Sequence, residues 1–256
     1  MKYNTPLMQV HSLRLIGVLY LFVILFAGFS QGYVRGTLVV ANDATTTATN
    51  ILLHEGLFRL GLTTDLLAFI LDSIISVLLY QLFKPFNKTL AMVSAALRLV
   101  AHPAIASLNL LNHYMAYEVL GDAIFLSSFD EAQVQSISLL FMEAHRYGYL
   151  IAGAFFGIHC FLLGILIYQS SIVPKLFGGF LLGSAVGYLV ETFINFNLPG
   201  HEGSTALLVG ITAAIGEVGL TFYLLIKGAT KAYKKALQSD FSSKNAMIDK
   251  KYQFQN

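Results

Sequence analysis

Nine side chains able to do chemistry fall inside long apolar runs of this sequence, where charge and hydrogen-bonding capacity are expensive. Asp65 and Asp72 stand seven residues apart in the run 57–83, and so on nearly one face of a helix. Arg98, His102, Asn109 and Asn112 follow at intervals of four, seven and three in the run 90–115, forming one polar stripe. His159 lies in the run 147–168, Glu191 in 176–196 beside Asn195, and Glu217 in 205–226. An ionised group in a membrane span costs about 2.5–3.5 kcal/mol on insertion scales, so such groups face a bundle interior and need partners. Counting about 1.5 Å per residue from the ends of the runs puts Asp72, Arg98, His159 and Glu217 at similar depth, with Asp65, Glu191, Asn109 and Asn112 nearer the outer face. Arg98 is expected to neutralise Asp72 or Glu217, with His159 as hydrogen-bond partner or proton acceptor. Two roles fit this set: an ion-paired network that fixes helix register, or a polar cavity that binds a small solute or moves protons. One base facing four acids, Asp65, Asp72, Glu191 and Glu217, favours the cavity.

The elements that hold these residues follow from composition. Of 256 residues 56% are hydrophobic and only 12% charged, with a mean hydropathy of +0.67, against roughly 45–50% apolar and 25% charged in water-soluble domains. The chain is therefore read as all-α: a polytopic transmembrane bundle of about six spans, 13–29, 57–83, 90–115, 147–168, 176–196 and 205–226. Strict alternation of apolar and polar residues is missing from these runs, which argues against a β-barrel. Lys2, Arg14, Lys84, Lys88, Lys175, Lys227, Lys231, Lys234, Lys235, Lys244, Lys250 and Lys251 all fall on one side of the bundle. Arg35, Arg59 and Arg146 fall in or beside the loops of the other side, among Asp43, Glu55, Glu118, Asp122, Asp130, Glu131, Glu143 and Glu202. The positive-inside rule then places both termini in the cytoplasm. The first span lacks a clear cleavage site and is expected to stay as an anchor.

The transmembrane domain is taken as 1–230 and a basic cytoplasmic tail as 231–256, drawn to anionic headgroups rather than to nucleic acid. Outside the spans, 44–55 is compatible with a helix after Asn42 and Asp43, and a capping-box pattern at 128–131 begins a segment suited to lie along the membrane surface before the fourth span. Cys160 is the single cysteine, so there is no intrachain disulfide.

Other chemistries find little support. His102, His113 and His159 are available to haem, yet no two lie on one helix at the spacing that would hold a pair of haems in a four-helix core. His-Glu-x-x-His, a Gly-rich phosphate loop and a serine elbow are all missing, so no cofactor and no metal are expected, and a non-enzymatic role is favoured. The alternatives kept open are a membrane enzyme or redox protein using His102 and His159, and a structural or interaction subunit.

Several segments together resemble a known family. They are Asn50-Ile51-Leu52, Glu55-Gly56-Leu57-Phe58-Arg59-Leu60-Gly61 with Asp65, Arg98-Leu99-Val100, Asn109-Leu110-Leu111-Asn112, Gly148-Tyr149-Leu150, Gly157 through His159, Gly164 and Tyr168 to Pro174, Gly187-Tyr188, and Gly216-Glu217 before Lys227-Gly228. Over about 12–230 the chain resembles the uncharacterised bacterial membrane family called domain of unknown function 4386. In that family an acid tends to follow the Arg-Leu-Val, where this chain has Ala101-His102. The resemblance implies a multi-helix integral membrane protein of a bacterial family and supplies no activity, substrate or catalytic residue. The expected place is the bacterial cytoplasmic membrane, with the lipid bilayer as partner; the buried polar residues, not the resemblance, add a small-molecule or ion ligand, and no oligomeric state is expected from either.

Overall fold

Backbone donors and acceptors inside a bilayer have no water to bond, so each apolar run must satisfy its own as helix. The computed structural model, which describes residues 6–121, 127–235 and 238–239, is helical with no strand among them. Six helices are long and apolar enough to cross a membrane. α1 comprises Pro6–Gly28, a π-helical turn at Phe29–Arg35 and Gly36–Leu38; α2 is the short Ala44–Leu53; α3 is Glu55–Phe83. α4 comprises Lys88–Leu99, a π turn at Val100–Ala106 and Ser107–Glu118; α5 is Glu131–Gln169; α6 is Lys175–Asn197; α7 comprises Glu202–Ala213, a π turn at Ala214–Val218 and Gly219–Ile226. Pro103 explains the turn in α4, because proline has no N–H to give and its ring crowds the preceding turn. Lys2, Asp122 and the part of the expected tail beyond residue 239 lie outside the described residues.

Two expectations are corrected. The first span does not stop at Phe29: Ser30 donates to the Gly61 carbonyl of α3 at 2.8 Å, and Val34 and Leu38 are buried, so the helix continues through Gln31 and Gly32 to Leu38. The segment before the fourth span is not a separate surface helix. Its cap is Asp130, closed into a box by Gln133, and the helix then runs unbroken for 39 residues. At about 1.5 Å per residue that is about 58 Å, nearly twice a hydrocarbon core of about 30 Å. The overhang carries α2, where Thr45 donates to Gln135 at 2.8 Å.

α2 begins as its sequence suggests, with the Asp43 carboxylate accepting from Thr46 N–H at 2.9 Å. Hydrogen bonds from Thr46 hold the Asp43 carboxyl below its usual value of 3.8. A lowered native value means that this carboxylate supports the cap above the ordinary carboxylate range and that the support is lost as pH falls through the lowered value. The protection factor of the Thr46 amide, its exchange rate relative to the intrinsic rate at each pH, is therefore expected to fall in acid in the native protein and to stay flat over the same range in Asp43→Asn, which keeps an uncharged cap.

The six long helices form a ring in the order α1, α3, α4, α5, α6, α7, closing back on α1. One hydroxyl ties most neighbours: Ser76 to Ala95 O at 2.7 Å (α3 to α4), Ser138 to Ala116 O at 2.6 Å (α5 to α4), Thr192 to Leu150 O at 2.8 Å (α6 to α5) and Ser184 to Thr212 O at 2.9 Å (α6 to α7). The two halves of the ring differ. At the basic end, which holds the Lys84 and Lys175 connections, Leu13, Ile16, Leu79, Leu163, Leu181 and Leu224 fill the centre. Backbones nearly touch there: a Cβ on Gly17 of α1 would lie 2.9 Å from Leu225 N of α7, and one on Gly164 of α5 would lie 2.8 Å from Gly178 O of α6. The opposite half holds a cavity beside a smaller buried cluster of Val34, Leu38, Ile51, Phe58, Ala116 and Met142.

Candidate functional site

The buried face of α3 repeats through Phe58, Gly61, Asp65, Ala68, Asp72, Ile75 and Leu79, so both aspartates point into the ring. Asp72 meets the first turn of the α4 stripe. Arg98 donates through Nε to Asp72 Oδ1 at 3.0 Å and also through Nη2, while His102 Nδ1 donates to Asp72 Oδ2 at 2.8 Å. Arg98 Nη1 reaches Tyr20 OH of α1 at 2.8 Å and His159 Nε2 of α5 at 3.1 Å. A guanidinium only donates, so His159 Nε2 is the bare nitrogen and Nδ1 carries the proton, given to Ser94 O at 2.9 Å. Of the two roles expected for His159, the geometry has that of hydrogen-bond partner, a neutral acceptor for Arg98. Of the two acids offered to Arg98, Asp72 is its ion pair; Glu217 instead accepts from Tyr188 OH at 2.9 Å.

A second cluster lies toward the far end, and its base, Arg35, belongs to a span rather than to a loop. Arg35, in the π turn of α1 and only 8% exposed, forms an ion pair with Asp65 at 2.7 Å. Its Nε donates to Gln31 at 2.8 Å and its Nη1 to His113 Nδ1 at 3.3 Å, while His113 Nε2 donates to Phe58 O at 3.1 Å. His113 and His159 therefore each commit both ring nitrogens to protein partners, leaving neither lone pair for a haem iron. Tyr149 lies under the Arg35 guanidinium at 5.3 Å and beside His145 at 5.1 Å. Four buried atoms of this cluster, Arg35 Nη2, Asp65 Oδ1, His145 Nε2 and Tyr149 OH, make no hydrogen bond of normal geometry, although the Tyr149 hydroxyl lies close enough to Asp65 and Arg35 to interact with both. Such atoms cost free energy unless water or a ligand meets them.

Both clusters border a cavity of about 830 Å³. Arg98, His102, Tyr20, Phe156, Tyr188 and Glu217 lie at its deep end; Gln31, Arg35, Tyr149, His145, Arg146, Glu143 and Glu191 line it further out, and Ala41 and Glu202 border it nearest the far end. Ala41 is exposed, so the cavity opens at the end opposite the basic loops. The three π turns each contribute an ionisable side chain to it: Arg35, His102 and Glu217. Widened turns of this kind re-aim side chains and recur at functional sites.

Of the nine residues singled out by sequence, Asp72, Arg98, His102 and His159 form one contact group, Asp65 belongs to the second cluster, and Glu191 and Glu217 line the cavity wall. Asn109 and Asn112 do neither. Asn109 Nδ2 donates to His145 O at 2.6 Å and Asn112 Nδ2 to Asn109 Oδ1 at 2.9 Å, a brace between α4 and α5. Sequence reasoning missed Arg35, His145, Tyr149, Tyr20 and Tyr188. The spacing of Ser30, Val34 and Leu38 continues the buried face of α1 and would have found Arg35. Among the described residues no three His, Cys, Asp or Glu side chains converge as a metal site.

No solved structure matches the chain. An "Uncharacterized protein" from Archaeoglobus fulgidus is 32% identical over 162 residues, covering 63% of this chain and 80% of that relative. The family described as Domain of unknown function (DUF4386) matches residues 15–228, a span that takes in every cavity residue named above. The chain belongs to this DUF4386 family of multi-pass membrane proteins.

Proposed function

We propose that the bundle binds a small solute in its intramembrane cavity. The observation that carries this is a hollow of about 830 Å³ bordered by two buried ion clusters, one of which presents unsatisfied polar atoms. Pockets of about 300–1,000 Å³ with a few convergent polar groups among apolar walls are the usual form of small-molecule sites. With the chain in a bacterial cytoplasmic membrane and both termini cytoplasmic, as the lysine distribution implies, the mouth faces outward and the basic half closes the cytoplasmic side. Passage across the membrane would require the α1–α7 contact at Gly17 to part. Proton movement would use Glu217, because Asp72 and His159 are held by fixed partners.

A thermal-shift screen of solutes in lipid nanodiscs tests the proposal, comparing the native protein with Gly153→Leu. Gly153 borders the cavity and a Cβ there meets Thr192 and Tyr188 at an ordinary 3.7 Å, so a side chain fits at its root and its bulk is expected to narrow the cavity. At a solute concentration of about 100 times Kd, binding adds about 2.7 kcal/mol to native stability. At least one solute is expected to raise the native melting temperature and to leave that of Gly153→Leu unchanged. Equal shifts in both proteins, or none in either, would sink the proposal.

A further inference from the structure

We infer that the cavity is shaped for a lipophilic organic cation that reaches it from the bilayer, between α1 and the far half of α7. The inference rests on the solute-binding proposal and names the class of solute. It starts from the charges. Three arginines border the cavity, and each is already matched: Arg35 by Asp65, Arg98 by Asp72 and Arg146 by Glu143 at 3.0 Å. Three further acids also border it, Glu191 on α6 and Glu202 and Glu217 on α7, and none has a salt bridge among the described residues. The unmatched ionisable groups are thus acids from rim to floor, and a cation bound beside a buried acid favours its ionised form. Between low-dielectric walls, a surplus of one sign focuses the field on ligands of the other. The open donor at Arg35 Nη2 does not reverse this, since Asp65 neutralises that arginine and offers an open acceptor, Oδ1, in the same cluster. Equal numbers of free donors and acceptors suit a water or a neutral polar group.

The floor adds a second feature of cation sites. Glu217 sits beside Tyr188, which packs against Phe156 at 5.2 Å; the faces of Tyr20 and Phe156 already carry the Arg98 guanidinium at 4.7 and 5.1 Å, so of these rings it is Tyr188 that is left to an incoming cation. Aromatic faces attract onium groups through the negative face of the ring.

The route follows from the packing of α7. Its last part, Gly219–Ile226, lies against α1, whereas its first part, Glu202–Ala213, lies against α6. Two bonds hold it there, Ser184 to Thr212 O at 2.9 Å and Asn195 to Thr205 at 3.0 Å. α1 and α7 therefore meet at Gly17 and diverge above it. The slit between them is bordered by Ile24 and Ala27 on one side and by Val209 and Ala213 on the other, all cavity-lining, with Leu25 and Ile211 turned outward at 55% and 51% exposure. An apolar slit facing lipid, with acids behind it, selects a ligand that is membrane-soluble and positively charged.

Tetraphenylphosphonium and tetraphenylborate have nearly the same shape and opposite charge, and tetraethylammonium has the cationic charge without the membrane solubility. Equilibrium dialysis of the three against the protein in zwitterionic nanodiscs separates the terms. The phosphonium is expected to bind saturably, with affinity at least tenfold lower in Glu217→Gln and lower again in Glu191→Gln/Glu217→Gln, both checked for folding by melting temperature. The borate is expected to show no saturable binding, and tetraethylammonium to bind at least tenfold more weakly than the phosphonium. Borate binding as tight as the phosphonium, or phosphonium affinity unchanged in both variants, overturns the charge assignment. Equal affinity for tetraethylammonium overturns the lipid route. If in either case binding is abolished by Gly153→Leu, the solute cavity stands and only its class was misassigned; if no probe responds to Gly153→Leu, both proposals fall together.

Discussion

Asp72→Asn is expected to lower the melting temperature of the protein far more than Glu217→Gln, although both replace one membrane carboxylate by its amide. Asp72 and Arg98 are 0% and 1% exposed, and the Asp72 carboxylate is the only acid in contact with that guanidinium among the described residues. Removing it leaves a buried cation with two neutral acceptors, Tyr20 and His159, a loss on the order of 3–5 kcal/mol. Glu217 has a tyrosine hydroxyl as its partner and no salt bridge, so its amide strands no opposite charge. The double variant Asp72→Leu/Arg98→Met is expected to recover much of the loss, because a buried ion pair exchanged for apolar groups is often close to neutral. Melting followed by circular dichroism in one detergent measures all three. Equal shifts for the two single variants would show that the Asp72–Arg98 contact does not hold the bundle together.

Gly164→Ala is expected to destabilise by about 1–3 kcal/mol, an overpacking cost, while Gly183→Ala on the adjoining helix is expected to be neutral or to stabilise by a few tenths up to about 1 kcal/mol through helix propensity. The two changes add the same atom. At Gly164 it would lie 2.8 Å from the Gly178 carbonyl, and a Cβ on Gly178 would lie 2.9 Å from the Gly164 carbonyl, so α5 and α6 touch backbone to backbone. At Gly183 it meets nothing within 4 Å. The same melting experiment checks the pair, and a loss of stability in Gly183→Ala would mean that α6 faces its neighbours differently.

Much of the architecture was legible because bilayer physics leaves few choices. Apolar runs of about 20 residues became the spans, and the seven-residue interval between Asp65 and Asp72 did put both on the inner face of α3. Depth counting matched Asp72, Arg98 and His159 before any contact was known. What stayed hidden lay where helices depart from regular α geometry. Arg35 follows Ser30-Gln31-Gly32, which reads as the end of a span, and only tertiary bonding carries the helix past it. Overlooking it left one base against four acids; with it, Asp65 is matched and the surplus falls on α6 and α7. The α4 stripe likewise looked continuous from Arg98 to Asn112, but the π turn at Val100–Ala106 separates its two ends. Arg98 and His102 turn to Asp72, while Asn109 turns to α5. The tautomer of His159 depends on which neighbour donates and has no signature in sequence.

The π turns also bear on how such a site is inherited. A π turn holds one residue more than the α-helix around it, so it can arise from, or be erased by, a one-codon change that leaves both flanking helices in frame. Arg35, His102 and Glu217 each sit on such an extra residue's turn. A lineage can therefore gain or lose the placement of these three lining residues in three small genetic steps while keeping the spans that cross the membrane. Alignments of relatives should show this as isolated single-residue gaps at 29–35, 100–106 and 214–218, and copies carrying all three gaps should have kept the bundle and re-aimed these three side chains.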